Sequence, residues 1–293
     1  MNIGFIGLGI MGKPMAKHVI NSGYSAIVYD INTEAVAELK QTGAAAAASV
    51  EAAVIESDLI ILMLPNNAVV RQVVGTIAES AAAGSIVIDM SSTSPVVSRE
   101  MADLLKSKGI AMLDAPVSGG EPKAIDGTLA IMVGGDEDVF EKARPVLSTM
   151  GKDVTRVGGN GSGSTAKLAN QIIVNVNIAA MSEALILGAK AGIDLQQMYQ
   201  AIRGGLAGSA VLDAKVPMVL ERNFKAGGRI DINLKDLNNV IETADALDLE
   251  LPLTQHVRHV FETLAAEGKQ ADDHGGIVKY YENLAGVQVG ASS

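Results

Sequence analysis

Three glycines near the start of the chain have the spacing of a nucleotide-binding turn. Gly7, Gly9 and Gly12 follow an apolar run and precede a helical pattern, which is the context that a dinucleotide-binding G-x-G-x-x-G sequence requires. The first glycine permits a tight turn, the second lets a pyrophosphate approach the backbone, and the third lets helix and strand pack closely. The start of the helix then supplies free N–H groups for the phosphates. The other members of the predicted cofactor loop are Leu8, Ile10 and Met11.

A carboxylate closes the second predicted strand. Asp30 follows the glycines by about 20 residues, where an acidic side chain hydrogen-bonds the adenosine ribose of NAD. The next residues, Ile31, Asn32 and Thr33, include no Arg or Lys, and a carboxylate repels the 2′-phosphate of NADP. The sequence therefore favours NADH as the cofactor, with NADPH as the alternative.

An ionisable side chain lies near the start of a long helical pattern. Lys167 is followed three and four residues later by Asn170 and Gln171, which lie on the same face of a helix. The helix start and partial burial both disfavour a charged ammonium, so Lys167 is suited to donate a proton. Either amide can orient the lysine or a substrate hydroxyl.

A Ser-Gly-Gly sequence follows another predicted strand. Ser118, Gly119 and Gly120 come after the apolar run that ends at Asp114, and open α/β sheets bind ligands at the carboxyl ends of their strands. A hydroxyl and closely spaced backbone N–H groups suit a carboxylate. We expect this loop to bind the carboxylate of a small substrate; the alternative is a β-turn without a ligand.

The elements that must position these residues alternate between short apolar runs and helical patterns. Strands are predicted at residues 3–6, 26–29, 59–64, 86–89, 112–114 and 130–133. Helices between them include residues 13–21, 33–42, 95–108 and 137–150. This alternation predicts right-handed βαβ units and a mostly parallel sheet, an α/β domain of the Rossmann type over residues 1–161.

The pattern changes near Gly158. The Gly- and Ser-rich segment 158–165 is predicted to lead into a helix over residues 165–191 that ends at Gly192. Beyond it the sequence predicts helices only, at residues 195–203, 213–220, 232–247, 253–267 and 273–284. We therefore expect a long helix over residues 162–192 and an all-helical domain for substrate binding and assembly over residues 193–293.

Apolar positions on the long helix suggest an assembly surface. Ile178, Ala179 and Leu185 are expected to be exposed, and pairing between subunits would bury them. The sequence thus predicts a homodimer or homotetramer.

Composition argues against several other functions. The net charge of −10 disfavours nucleic-acid and anionic-membrane binding, and the absence of Cys excludes disulfides and Cys-ligated zinc. No uninterrupted apolar run reaches the roughly 18 residues of a transmembrane helix. A signal peptide begins with basic residues, whereas here none precedes Lys13. We expect a cytoplasmic protein.

His256 and His259 share a predicted helix face with Glu262, but a solvated face is the favoured interpretation, so no metal site is predicted.

Four motifs together resemble the β-hydroxyacid dehydrogenase family, whose members are similar to 3-hydroxyisobutyrate dehydrogenase. They are the cofactor sequence at residues 5–12, the substrate loop at 114–120, the helix sequence at 161–170 and the Leu-Lys-Asp sequence at 234–236, in the family's order. The resemblance implies reversible hydride transfer between a nicotinamide and a small semialdehyde or hydroxy acid with a carboxylate, with Lys167 as general acid and base. The family more usually has Asn four residues after this lysine, where the present chain has Gln171.

The resemblance also implies further cofactor contacts past two strand ends and in the second domain. These residues are Leu64, Pro65, Asn66, Ser92 and Lys235.

Two loops suggest a subgroup of the family. Residues 118–129 and 203–209 are most similar to tartronate semialdehyde reductases, which implies D-glycerate as the product. The alternatives are 3-hydroxyisobutyrate and 4-hydroxybutyrate dehydrogenases, and the choice depends on how polar the wall of the substrate pocket is. A non-catalytic nucleotide-binding module is a further alternative, disfavoured by Lys167 and by the lack of a basic arm.

Overall fold

The computed structural model describes residues 1–290, which form two compact units. The first unit comprises Met1–Lys167, and the second begins at Leu168. The strands of the first unit are β1 (Asn2–Ile6), β2 (Ser25–Tyr29), β3 (Ala45–Ala46), β4 (Leu59–Leu62), β5 (Ile86–Asp89), β6 (Ala111–Asp114), β7 (Val117–Ser118), β8 (Leu129–Gly134) and β9 (Gly151–Gly158). Its helices are α1 (Gly12–Asn21), α2 (Thr33–Gln41), α3 (Val50–Val54), α4 (Asn67–Ser80), α5 (Pro95–Ser107), α6 (Gly120–Asp126) and α7 (Glu137–Met150).

A long helix, α8 (Ser162–Ala191), begins in the first unit and continues in the second. The remaining helices are α9 (Leu195–Arg203), α10 (Ala210–Leu220), α11 (Ile230–Asp245), α12 (Pro252–Ala266), a 3-10 helix (His274–Ile277) and α13 (Val278–Ala285). After β9 the described residues contain no further strand, only an isolated bridge between Arg229 and Asp273. The α/β first part and the helical second part confirm the predicted fold class.

The strands of the first unit form one sheet. Within the described residues their order is β3-β2-β1-β4-β5-β6-β8-β7, and β9 pairs with β8. The pairings are parallel except those of β8 with β6 and β7. Because β1 lies between β2 and β4, the strand order reverses at β1, and the crevice beside such a reversal is where doubly wound sheets bind ligands. The glycine turn follows β1 directly.

The central strands are buried on both faces by helices. On one face the core includes Phe5 and Met15, and on the other it includes Ile60, Leu62 and Ile77. A strand covered on both sides needs apolar residues at consecutive positions, which is why these strands have continuous apolar runs.

Three strands were not predicted from the sequence. β3 and β7 have two residues each, too few to show a period. β9 contains Lys152, Asp153 and Arg156, and most of its side chains are at least partly exposed. Its backbone pairing with β8 holds β9 in the sheet. Because β9 has no apolar run, its sequence does not indicate a strand. The predicted connector at residues 158–165 is also shorter than expected, since α8 begins at Ser162.

The second unit has its own core, and this core corrects one prediction. Ile178, Ala179 and Leu185 are buried inside it rather than exposed. The large apolar side chains of α8 that are exposed are instead Ile173 and Leu187, at 67% and 72%. Apolar residues occur all round this helix, so the sequence alone could not show which of them faced the core.

By length and composition alone, α8 is able to cross a membrane. It has 30 residues, and an 18-residue window within it has a mean hydropathy of 1.7. No uninterrupted apolar run marks this property in the sequence, because Asn and Ser residues divide the run. Polar side chains such as Asn175 and Ser182 lie on its buried side, as in a helix packed into the core of a folded domain.

Candidate active site

The glycine turn after β1 leaves open space at one position and is tightly packed at two. Gly7 has φ of +98°, and a Cβ there would lie 2.2 Å from the Met63 carbonyl oxygen. A Cβ on Gly12 would lie 2.0 Å from the Gly7 carbonyl oxygen. Around Gly9, by contrast, no atom lies within 4 Å of the corresponding point. The fold itself therefore requires Gly7 and Gly12, whereas Gly9 keeps the backbone accessible to a ligand.

The start of α1 and the end of β2 carry complementary charges beside this turn. No acidic residue lies in the first turn of α1, and no side chain caps the helix, so its partial positive charge is not neutralised locally. The Asp30 carboxylate accepts hydrogen bonds from the backbone N–H groups of Leu8 at 2.5 Å and Asn32 at 2.6 Å. These contacts fix a negative charge next to the turn. The residues present thus fit a dinucleotide, with the pyrophosphate at α1 and a ribose hydroxyl at Asp30.

The loops after β4 and β5 meet at Ser91, which a buried carboxyl group holds in place. Asp89 accepts hydrogen bonds from the Ser91 backbone N–H at 3.0 Å and the Thr93 hydroxyl at 2.8 Å. The Ser91 hydroxyl in turn accepts a hydrogen bond from the Leu64 N–H at 2.8 Å. Burial raises the pKa of Asp89 to about 6. This chain of contacts holds Leu64 and Ser92, two of the predicted cofactor residues, in loops that meet at one edge of the sheet.

The other two residues predicted in these loops lie directly after Leu64. Pro65 follows it, and Asn66 caps α4, its side-chain oxygen accepting the Val69 N–H at 3.0 Å. Asn66 therefore has a structural role in addition to the contact predicted for it.

A second buried carboxylate fixes the start of α8. Asp114, the last residue of β6, accepts hydrogen bonds from the backbone N–H groups of Gly161 and Ser164, both at 2.8 Å. Burial raises the pKa of Asp114. Lys167 lies about one turn further along α8 and is only 9% exposed. The carboxylate thus determines where the helix that carries Lys167 begins.

The predicted substrate loop is a tight turn between β7 and α6. Ser118 is the last residue of β7 and pairs with Ala130 of β8. Gly119 and Gly120 have φ of +137° and +66°, a conformation that is strained for other residues. A Cβ on Gly119 would also lie 2.6 Å from the Lys123 side chain. Both glycines are therefore required by the turn itself.

In the second unit, polar side chains of α8 and α11 meet in a buried network. Gln171 donates from Nε2 to Asp236 Oδ2 at 2.7 Å and to Asn233 Oδ1 at 3.3 Å, and it accepts from Asn170 Nδ2 at 2.9 Å. Lys235 Nζ lies 3.1 Å from Asp236 Oδ1. Three predicted site residues, Asn170, Gln171 and Lys235, are thus brought together.

Comparison with known proteins places this geometry in a family. Residues 2–159 match the NAD binding domain of 6-phosphogluconate dehydrogenase, and residues 161–281 match the NAD-binding region of NADP-dependent 3-hydroxyisobutyrate dehydrogenase. The chain is 42% identical over 288 residues to 2-hydroxy-3-oxopropionate reductase of Escherichia coli, covering 97% of this chain and 98% of that one. The chain is a β-hydroxyacid dehydrogenase of the 3-hydroxyisobutyrate dehydrogenase-like family.

Other relatives of this dehydrogenase differ in substrate. It is 37% identical to 2-(hydroxymethyl)glutarate dehydrogenase of Eubacterium barkeri, with 99% of this chain and 97% of that one covered. The structure of Mycobacterium tuberculosis 3-hydroxyisobutyrate dehydrogenase with L-serine superposes with a TM-score of 0.90 at 31% identity, covering 96% and 98% of the two chains. The comparisons agree on the family, on the oxidoreductase class and on the use of a nicotinamide cofactor.

Sequence reasoning did not assign roles to three carboxylates of this dehydrogenase. Asp89 and Asp114 are the last residues of the apolar strands β5 and β6, and Asp236 follows Lys235 on α11. An acidic residue that closes a buried strand was the available signal for the first two, because a carboxylate there needs nearby donors. Asp236 lies in the Leu-Lys-Asp sequence that contributes to the family resemblance, but nothing in its spacing indicated the contact with Gln171.

Within the described residues no group of three His, Asp or Glu side chains is arranged to hold a metal ion. His256, His259 and Glu262 all lie on α12.

Proposed function

We propose that this dehydrogenase reduces tartronate semialdehyde to D-glycerate with NADH. The observation that carries the proposal is the 42% identity to the Escherichia coli 2-hydroxy-3-oxopropionate reductase over nearly the whole of both chains. The loops at residues 118–129 and 203–209, which resemble this subgroup, support the same substrate.

The reaction adds a hydride to the aldehyde carbon and a proton to its oxygen. The nicotinamide, when bound, supplies the hydride. Lys167 donates the proton from Nζ to the carbonyl oxygen and accepts it again in the reverse direction, and Asn170 keeps this amine oriented. Ser118, Gly119 and Gly120 bind the substrate carboxylate through the serine hydroxyl and backbone N–H groups.

The proposed cofactor contacts are the loops after β1, β2, β4 and β5 and, as the family resemblance implies, Lys235. In this proposal the pyrophosphate lies against the turn formed by residues 7–12, and the ribose hydroxyls donate to Asp30. Leu64, Pro65, Asn66 and Ser92 contact the cofactor from the neighbouring loops, and Lys235 does so from α11. Because Asp30 is negatively charged, NADH is preferred over NADPH.

An assay with three semialdehydes tests the substrate assignment. NADH oxidation is measured with tartronate, methylmalonate and succinate semialdehydes, and we expect the highest kcat/KM with the first. The structural likeness to the Mycobacterium tuberculosis 3-hydroxyisobutyrate dehydrogenase makes methylmalonate semialdehyde the second candidate. A higher kcat/KM with that substrate would replace the first assignment.

We also propose that the chain forms homodimers or homotetramers in the cytoplasm. The exposed apolar side chains Ile173 and Leu187 on α8 support this assembly, since large apolar groups on a helix face favour association. Residues 193–293 are assigned to substrate binding and assembly, residues 1–161 to the cofactor, and residues 162–192 to the connecting helix.

A further inference from the structure

Asp236 is a buried carboxylate that contacts two residues of the proposed site. Its side chain on α11 is almost fully enclosed. Oδ2 accepts a hydrogen bond from Gln171 Nε2 at 2.7 Å, and Oδ1 lies 3.1 Å from Lys235 Nζ. The two carboxylate oxygens are thus divided between an amide and an ammonium group.

Both donor hydrogens of the Gln171 amide are used within this network. A side-chain amide has two donor hydrogens, and those of Gln171 are directed at Asp236 and Asn233. Its carbonyl oxygen accepts from Asn170 Nδ2 at 2.9 Å. Gln171 therefore links the orientation of Asp236 to that of Asn170, the amide that the proposed function assigns to orienting Lys167.

The charge of Asp236 is directed at Lys235. Within residues 1–290 its Oδ1 has no hydrogen-bond partner, so the contact with the ammonium is an ion pair without hydrogen-bond alignment. An Asn side chain would satisfy Gln171 equally well and would avoid burying a charge, which is costly unless an opposite charge compensates it. A carboxylate rather than an amide is needed at this position only if the negative charge of Asp236 orients Lys235.

We propose that Asp236 is a positioning residue that holds the Lys235 ammonium and, through Gln171, the Asn170 amide in their working orientations. This inference rests on the proposed function, in which Lys235 binds the cofactor and Asn170 supports Lys167.

Two substitutions of Asp236 separate its charge from its shape. Asp236→Asn keeps the size and an acceptor for Gln171 but removes the charge, whereas Asp236→Glu keeps the charge and adds a methylene to a packed site. We expect kcat to fall by about 10- to 100-fold in Asp236→Asn, as for a misplaced reacting group, and to be partly restored in Asp236→Glu. The melting temperatures should fall in the opposite order, with Asp236→Glu the less stable because overpacking is destabilising.

The matched control is Asp231→Asn on the same helix, which removes a charge paired with Arg229 on a partly exposed surface. It should leave kcat and KM unchanged. The proposal is wrong if Asp236→Asn keeps native kcat, or if Asp236→Glu is folded but less active than Asp236→Asn. If Asp236→Asn does not fold, measurable kcat in a folded Asp236→Glu supports the proposal, and a folded but inactive Asp236→Glu contradicts it.

Lys167→Ala in the same assay separates the positioning role of Asp236 from the proposed function. If Lys167→Ala is inactive and Asp236→Asn is fully active, only the positioning role fails. If Lys167→Ala keeps native activity, the proposed function fails and the positioning role fails with it.

Discussion

The surroundings of Lys167 combine burial with a fixed backbone. Asp114 accepts the Ser164 N–H from the preceding turn, and the Ser164 hydroxyl lies 2.8 Å from that of Ser98. The first turn of α8 is therefore held at several points. A proton donor must be positioned to within a hydrogen-bond length of its acceptor, and this rigidity suits the role proposed for Lys167.

Replacing Lys167 should slow the chemical step without weakening cofactor binding. We expect Lys167→Ala to lower kcat by about 10²- to 10⁴-fold, the usual contribution of a general acid. NADH affinity, measured by fluorescence titration, should be unchanged because the glycine turn lies elsewhere in the sequence. Lys167→Arg should not restore activity, since a guanidinium does not release its proton near neutral pH. A variant with more than about a tenth of native kcat would place the proton donor elsewhere.

Asp30 should determine the choice between the two nicotinamide cofactors. We expect the native enzyme to have a higher kcat/KM with NADH than with NADPH, because the carboxylate held by Leu8 and Asn32 repels a 2′-phosphate. Asp30→Ala should reduce this preference by lowering kcat/KM with NADH and raising kcat/KM with NADPH. Steady-state kinetics with both cofactors provide the measurement. Equal or better turnover of the native enzyme with NADPH would contradict the assignment.

At the scale of elements, the carboxyl ends of β5 and β6 carry two buried acids side by side. Asp89 and Asp114 are register partners in the sheet, and the nearby charge of Asp114 adds to the effect of burial on the pKa of Asp89. Each acid connects a strand end to a neighbouring segment: Asp89 contacts the loop after β5 and, through Ser91, the loop after β4, whereas Asp114 contacts the start of α8. The sheet thus positions two loops and one helix through side chains rather than through backbone pairing.

The raised pKa of Asp89 predicts a pH dependence of stability. Its value of about 6 in the folded protein exceeds the ordinary 3.8, so the folded state binds the proton more tightly than the unfolded state. This contribution is complete below about pH 4 and is lost as pH rises to about 6, a change of about 3 kcal/mol in the free energy of unfolding. Asp89→Asn should remove it, because an amide remains neutral and still bonds to Ser91 and Thr93.

Urea unfolding of both proteins between pH 4 and pH 7 provides the test. The stability of Asp89→Asn relative to native should rise with pH across this range. The carboxyl groups other than the neighbouring Asp114 titrate alike in both proteins and cancel in the difference. A difference that does not change with pH would show that Asp89 stays ionised in the folded state.

At the scale of the whole molecule, the outward face of α8 should mediate assembly. We expect light scattering at micromolar concentration to give the mass of a dimer or tetramer, and Leu187→Glu to lower that mass because a charge replaces a 72% exposed apolar side chain. Ile55→Glu, which changes another exposed apolar residue far from α8 in the sequence, is the control and should leave the mass unchanged. A monomeric native protein would refute the assembly.

Much of the fold was predictable from local patterns. Continuous apolar runs marked β1, β4 and β5, because strands covered on both faces need apolar residues at every position. Gly7 and Gly12 marked the turn after β1, since no other residue fits the close backbone contacts found there. The order of motifs along the chain was enough to indicate the family, which the comparisons then confirmed.

Other features depended on contacts between residues far apart in sequence. Whether Ile178 or Ile173 of α8 faces the core depends on the helices packed against it, and the sequence-based expectation for Ile178 was wrong. The link from Asp114 to Ser164 joins residues 50 positions apart, and that from Gln171 to Asp236 joins residues 65 apart. Local propensity and periodicity contain no information on such pairs, because a buried polar group is satisfied by whichever partner the tertiary structure brings within hydrogen-bond distance. The sequence by itself determined the elements and the residue types of the site, and the tertiary structure decided which polar groups hold them in place.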